Sequence, residues 1–116
     1  VFKPSGISKF SILEKSNTSI DGLNEDERLD YSKFVERMNQ ICKKAHDLQV
    51  PVFVDAEDSW IQDAIDRMCE VMMWKYNTEK AYVYTTVQMY RWDRLEYLKK
   101  LYEKEYGKIA QEKPAP

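Results

Sequence analysis

Glycine, proline and cysteine are scarce in this chain, at three, four and two among 116 residues. So little Pro and Gly, beside 43% hydrophobic residues, excludes a disordered or low-complexity chain. Two cysteines cannot make a disulfide framework. Cys42 and Cys69 lie far apart in apolar-periodic stretches and read as buried thiols of a reducing compartment. The single histidine, His46, has no zinc-ligand spacing to either cysteine and no serine or cysteine placed for a nucleophilic triad. It reads as a residue near a helix end, solvated or helping the helix dipole. No Gly-rich phosphate loop is present. Charge of one sign is also missing: 18 basic against 20 acidic residues give a net charge of −2, with nothing to recommend nucleic acid or an anionic membrane as partner. No apolar run reaches the roughly 18 residues of a membrane span. The start lacks the basic and apolar regions of a signal peptide. These absences point to a cytoplasmic protein. At this length it is at most one ordinary domain. Its first residue, Val1, is that of a cleaved product or a piece of a longer chain.

What is present is an alternation of strand and helix signals. Val1 to Lys3 is the end of a strand, stopped by Pro4 and Gly6. Ser5 to Leu23 is polar and mixed, with a turn at Asp21-Gly22, and is expected to be a long excursion. Asn24 and Glu27 have capping-box spacing and open a helix with the apolar stripe Leu29, Phe34, Val35, Met38, Ile41, Cys42, Ala45 and Leu48. Val50 to Val54 is a continuous apolar run, as in strands covered on both faces. Ser59 and Gln62 make a second capping box, and that helix runs to about Tyr76. Its Met68, Met72 and Met73 are core filling. Ala81 to Val87 is rich in β-branched and aromatic residues, hence a strand. A third helix covers Trp92 to Tyr106, with Leu95, Leu98, Leu101 and Tyr102 as its stripe and Gly107 as its C′ residue. The tail, 111–116, is polar and expected to fray. This order demands a parallel sheet.

In such folds ligands sit at the C-terminal ends of the strands. Lys3, Asp55 and Gln88 stand there: a cation, a carboxylate and an amide on one rim if the strands are neighbours. The alternative is that Asp55 or Glu57 caps the second helix and Gln88 is an ordinary loop residue. The acidic run Asp55 to Asp58 is a helix-start charge cluster rather than a cation site, and no metal site is expected.

Three segments resemble one family in order and spacing. Val52-Phe53-Val54-Asp55-Ala56-Glu57 resembles the second barrel strand of FAD-dependent proline dehydrogenases. Val87-Gln88-Met89-Tyr90 resembles the end of their third strand, and Phe2-Lys3-Pro4 the end of their first. The resemblance covers residues 1 to about 107. It implies an α/β fold, part of a (β/α)8 barrel, with three parallel β-α units and a long first βα loop over residues 1–110. It further implies oxidation of L-proline to Δ1-pyrroline-5-carboxylate by hydride transfer to FAD, with a quinone as electron acceptor. By the same resemblance Lys3 pairs with the substrate carboxylate, Asp55 and Ala56 line the flavin and substrate site, Gln88 hydrogen-bonds the isoalloxazine and Tyr90 follows in the same loop. An amide in that position can tune the ring.

Two positions depart from the family pattern. Thr85 replaces a common Asn. Gly107-Lys108-Ile109 begins an approach to a fourth strand that runs into the tail, without the family's flavin-gripping and carboxylate-holding arginines. Three strands alone leave open edges and an uncovered interior face. The isolated chain is therefore expected to be inactive, and to be marginal, to self-associate or to repack its helices over the inward-facing residues. The competing readings are a non-catalytic α/β interaction module or a helical one in which the strands are absent.

Overall fold

The computed structural model describes residues 1–112, with side chains through Lys104. Two compact units emerge, Val1–Thr86 and a second from Val87 onward.

The first unit is organised by a small parallel ladder. Strand β1 (Val52–Val54) pairs in parallel with β2 (Val83–Thr85), in the register Val52↔Val83, Phe53↔Tyr84 and Val54↔Thr85. On the other side of β1, Phe2 makes one parallel bridge to Val54: its N–H donates to the Phe53 carbonyl at 3.0 Å, and the Asp55 N–H donates to the Phe2 carbonyl at 2.9 Å. The first expected strand is therefore a single bridge. The ladder excludes an all-helical fold for this unit. Alternation along the strands gives the sheet two unlike faces. Val54 and Val83 are buried, whereas Phe53 and Tyr84 point the other way, exposed, with their rings stacked at 4.9 Å. The apolar run is covered on one face, not on both.

Three helices build the covered side. α2 (Glu25–Leu48) begins as the capping box requires: Asn24 Oδ1 accepts from the Glu27 N–H at 2.9 Å, and Glu27 Oε1 accepts from the Asn24 N–H at 3.1 Å. Phe34, Met38, Cys42 and Ala45 of its stripe are buried, while Leu29 and Leu48 are exposed. The helix ends on Gln49, which takes up the left-handed region at φ 56° and returns its N–H to the Ala45 and His46 carbonyls. α3 (Ser59–Tyr76) is the most buried element, with Ile61, Ala64, Ile65, Met68, Cys69, Met72 and Met73 in the core. Asn77 ends it and binds the start of β2, accepting from the Tyr82 and Val83 N–H groups and donating to the Val83 carbonyl.

Two further expectations fail in this unit. The stretch from Ser5 to Leu23 is not irregular: a 3-10 turn at Pro4–Gly6 is followed by α1 (Phe10–Thr18), which packs on α3 and buries Ile12, Leu13 and Ser16. No side chain caps α1, and a nine-residue helix with one polar residue in its buried stripe leaves a faint periodic signal. What holds it is tertiary: Asn17 Oδ1 accepts from the Ala64 N–H at 2.8 Å, and the Arg67 guanidinium donates to the Ser16 carbonyl. The second failure is the Ser59–Gln62 capping box. Asp58 is the N-cap, without a side-chain bond, so Ser59 is already helical and its hydroxyl is one position too late. Gln62 is buried and bonds elsewhere.

In the second unit, α4 spans Arg94–Glu112. Gly107 lies inside this helix rather than just past it, and Gly107-Lys108-Ile109 is helical rather than an approach to a strand. One glycine costs a helix only about 1 kcal/mol, which the good helix formers around it offset. Residues 111 and 112 continue the helix, and the rest of the expected tail lies outside the described residues. Of the expected stripe only Leu101 is buried; Leu95, Leu98 and Tyr102 are exposed.

Candidate functional site

Parallel pairing places the ends of neighbouring strands on one rim, and register decides which side chains share a face there. With Phe2 opposite Val54, the next residues, Lys3 and Asp55, come opposite each other on the face that carries Phe53 and Tyr84. They meet: Lys3 Nζ donates to Asp55 Oδ2 at 2.7 Å, and the pair is largely open to solvent. The hydrogen bond to Asp55 and that residue's charge hold the Lys3 ammonium above its ordinary value, and the Glu57 carboxylate adds to the effect. An ammonium has three donors. The bond to Asp55 occupies one and leaves two for an incoming oxyanion. Asp55 is partly buried, and so is Ala56, the next residue of the same strand exit. Thr86, after β2, donates its hydroxyl to the Val54 carbonyl at 3.0 Å and closes the rim on that side.

Glu57 is the residue whose part in the rim sequence reasoning missed, having been set down as a charge at the start of a helix. Its carboxylate takes both donors of Ser5, the N–H at 2.9 Å and the hydroxyl at 2.5 Å. Its own N–H donates to Gln62 Oε1 at 2.7 Å, and Gln62 Nε2 donates to Asp66 Oδ1 at 2.9 Å. The signal available was the Lys-Pro-Ser and Asp-Ala-Glu pair of segments, each with its polar residue two places after the rim residue.

Gln88 and Tyr90 belong to the second unit. There the Gln88 carbonyl accepts from the Arg91 N–H at 3.0 Å and its side-chain oxygen accepts from the Arg91 guanidinium at 3.4 Å. Arg91 in turn grips Asp93 through two bonds, at 3.1 and 2.8 Å. Tyr90 is 84% exposed.

The other candidates resolve into packing. Cys42 and Cys69 are buried and free, and burial raises their thiols to about 11 and about 12. His46 is not simply solvated: it is partly buried, with ring contacts to Tyr76 at 5.6 Å and Tyr82 at 5.4 Å. A groove of about 450 Å³ between the end of α2 and the entry to β1, lined by Ile41, Ala45, Leu48 and Val50 among others, is almost wholly apolar. Among the described residues no group of three or more His, Cys, Asp or Glu side chains could hold a metal ion, and no helix is long and apolar enough to cross a membrane.

Comparison with known proteins gives the chain a family. The family model described as "Proline dehydrogenase" matches residues 3–109. The chain is similar to "Proline dehydrogenase 1, mitochondrial" of Drosophila melanogaster, with 45% identity over 52% of this chain and 9% of that protein. It is similar to the Homo sapiens protein of the same name, with 32% identity over 72% of this chain and 15% of that protein. It is also similar to "Carbapenem antibiotics biosynthesis protein CarD" of Pectobacterium carotovorum, with 31% identity over 90% of this chain and 27% of that protein. The chain thus spans between 9% and 27% of the length of these relatives. No solved structure matches it. The expected cytoplasmic location is overturned, since several of the similar proteins are named mitochondrial. Composition could not reveal this, because a compartment is an address and not a property of the folded domain.

Proposed function

The chain belongs to the proline dehydrogenase family, and from that membership we propose that it supplies the first strands of a mitochondrial enzyme oxidising L-proline to Δ1-pyrroline-5-carboxylate. The observation that carries the reading is the Lys3–Asp55 pair, on the rim where two family segments meet. Lys3 binds the proline carboxylate through its two remaining donors, and Asp55 keeps the ammonium charged and aimed. Ala56, small and partly buried beside Asp55, lets a planar ring approach that end of the sheet. For Gln88 and Tyr90, which lie in the second unit, a part in flavin binding rests on the family resemblance alone. Within the first unit the stacked, exposed Phe53 and Tyr84 rings offer an apolar floor of the kind a planar flavin ring would need. Bound FAD would supply the hydride acceptor for proline oxidation, with a quinone as the onward electron acceptor. The chain's own residues bind and orient the substrate.

The residues described hold one share of such a site, in a chain that covers at most 27% of the relatives named. The 116-residue chain alone is therefore inactive and binds no flavin, and its open Phe53–Tyr84 face promotes self-association. The test uses the complete protein extended to the length of its relatives. We expect flavin absorbance and proline-dependent dye reduction, with Lys3→Ala raising KM for L-proline by an order of magnitude or more. This corresponds to loss of a charge-assisted bond of roughly 1.5–3 kcal/mol. A colourless protein with no proline-dependent reduction overturns the reading. Turnover by the 116-residue chain alone overturns its second half.

A further inference from the structure

We propose that Glu57 is a positioning residue for Lys3, acting through Ser5: it pins the turn that follows Lys3 and so fixes where the ammonium stands on the rim. The inference deepens the proposed function and rests on it for the identity of the ligand, but not for the geometry.

Lysine has a long flexible stem, and one exposed ion pair orders such a side chain weakly. A residue that must present two free N–H donors in a fixed direction needs its backbone fixed first. In this chain the backbone is fixed from below. Asp66 and Gln62, 4% and 1% exposed, lie on α3 and hold each other at 2.9 Å. Gln62 then accepts the Glu57 N–H, which sets the course of the chain after Asp55. Glu57 accepts both donors of Ser5, and Ser5 is the middle residue of the Pro4–Gly6 turn. That turn closes back on Lys3, whose carbonyl accepts the Gly6 N–H at 2.9 Å. Pro4 is buried and has a restricted φ, so the turn has little freedom left. The buried Asp66 carboxylate is thus linked through Gln62, Glu57 and the Ser5 turn to the Lys3 backbone, and Asp55 secures the far end of the same side chain. Glu57 also adds its charge to the field that keeps Lys3 protonated. Helix capping does not explain this arrangement. Asp58, not Glu57, is the N-cap of α3, and the Glu57 carboxylate accepts both donors of Ser5.

Lysine-selective ¹H–¹⁵N NMR titration of the Lys3 ammonium, in the 116-residue chain, reads the effect directly. Asp55→Asn sets the value of an unpaired Lys3. Ser5→Ala removes one bond and leaves the Glu57 charge, whereas Glu57→Gln removes the charge and keeps the shape. Lys43, paired with Asp47 at 2.6 Å far from the rim, serves as internal reference. We expect Ser5→Ala to lose at least half of the shift that separates wild type from Asp55→Asn, Ser5→Thr to restore it, and Lys43 to stay put. A Lys3 titration unchanged in both Ser5→Ala and Glu57→Gln, with folding intact by circular dichroism, overturns the proposal. If Glu57→Gln unfolds the chain, Ser5→Ala decides alone. In the complete protein, Ser5→Ala should raise KM for L-proline several-fold with kcat nearly unchanged. Absence of any proline oxidation there would count against the family activity, while the NMR result would still stand or fall by itself.

Discussion

Lys3 and Asp55 are 52 residues apart in sequence and 2.7 Å apart in space. The pair's stability has a defined pH window. Folding raises the lysine value, through the Asp55 hydrogen bond first and its charge second, so the contribution is full below the ordinary 10.5 and is lost as pH rises through the higher folded value. The difference in thermal midpoint between wild type and Asp55→Asn should therefore be constant through neutral pH and shrink only in strong alkali. A difference that vanished near neutrality would mean that the pair does not form. The two thiols behave oppositely to reactive cysteines. Desolvation raises Cys42 to about 11 and Cys69 to about 12, the latter despite a hydrogen bond with Thr85 that pulls the other way. Neither should react with a disulfide reagent at neutral pH until urea unfolds the chain. Rapid modification of the native protein would contradict their burial.

Helix starts and buried stripes set the energetics of the elements. The Asn24 capping box satisfies two backbone donors of α2, and Asn24→Ala should cost about 1 kcal/mol in urea denaturation. Glu27 is held below its ordinary 4.5, chiefly by its bond to Lys15 and next by the Asn24 backbone N–H. The stability it adds is present above 4.5 and disappears as pH falls through the lower folded value, so acid should loosen the start of α2. The α1 helix gives the sharper test. Leu13 is wholly buried where the sequence suggested a polar excursion, and Leu13→Ala should cost on the order of 2–5 kcal/mol. A cost near zero would restore the loop.

At the scale of the molecule, two of the exposed stretches among the described residues can be tested. The turn between β2 and α4 carries Tyr90 at 84% and Trp92 at 98% exposure, without regular structure to protect it. Limited chymotrypsin digestion should cut there first among the described residues, and a first cut inside α2 or α3 would refute the burial of those helices. The other place is the Phe53–Tyr84 face of the sheet, apolar and uncovered, which fits a chain that spans a fraction of its relatives. Much of this architecture was legible beforehand. β-Branched runs announced β1 and β2, Asn24 and Glu27 announced α2, and the strand–helix alternation announced parallel pairing. Of the three groups expected on one rim, Lys3 and Asp55 meet there, because strand ends are where parallel folds expose polar groups, whereas Gln88 belongs to the second unit.

Local chemistry accounts for that success, since capping, periodicity and β-branching act over a few residues and are written in order along the chain. The remainder depends on partners distant in sequence. Leu13 is core only because α3 lies against it, and Ser59 is not a cap because the buried Gln62 has better partners in Glu57 and Asp66. Phe53 and Tyr84 stay exposed because no element of the first unit packs on their face, although both strands are apolar enough to be buried on both sides. Residue order determined most of the elements, α2, α3 and the two strands among them, but not α1. Only packing decided which faces they hide and which groups they bring together, because burial and long-range hydrogen bonds belong to the assembled chain and not to any segment of it.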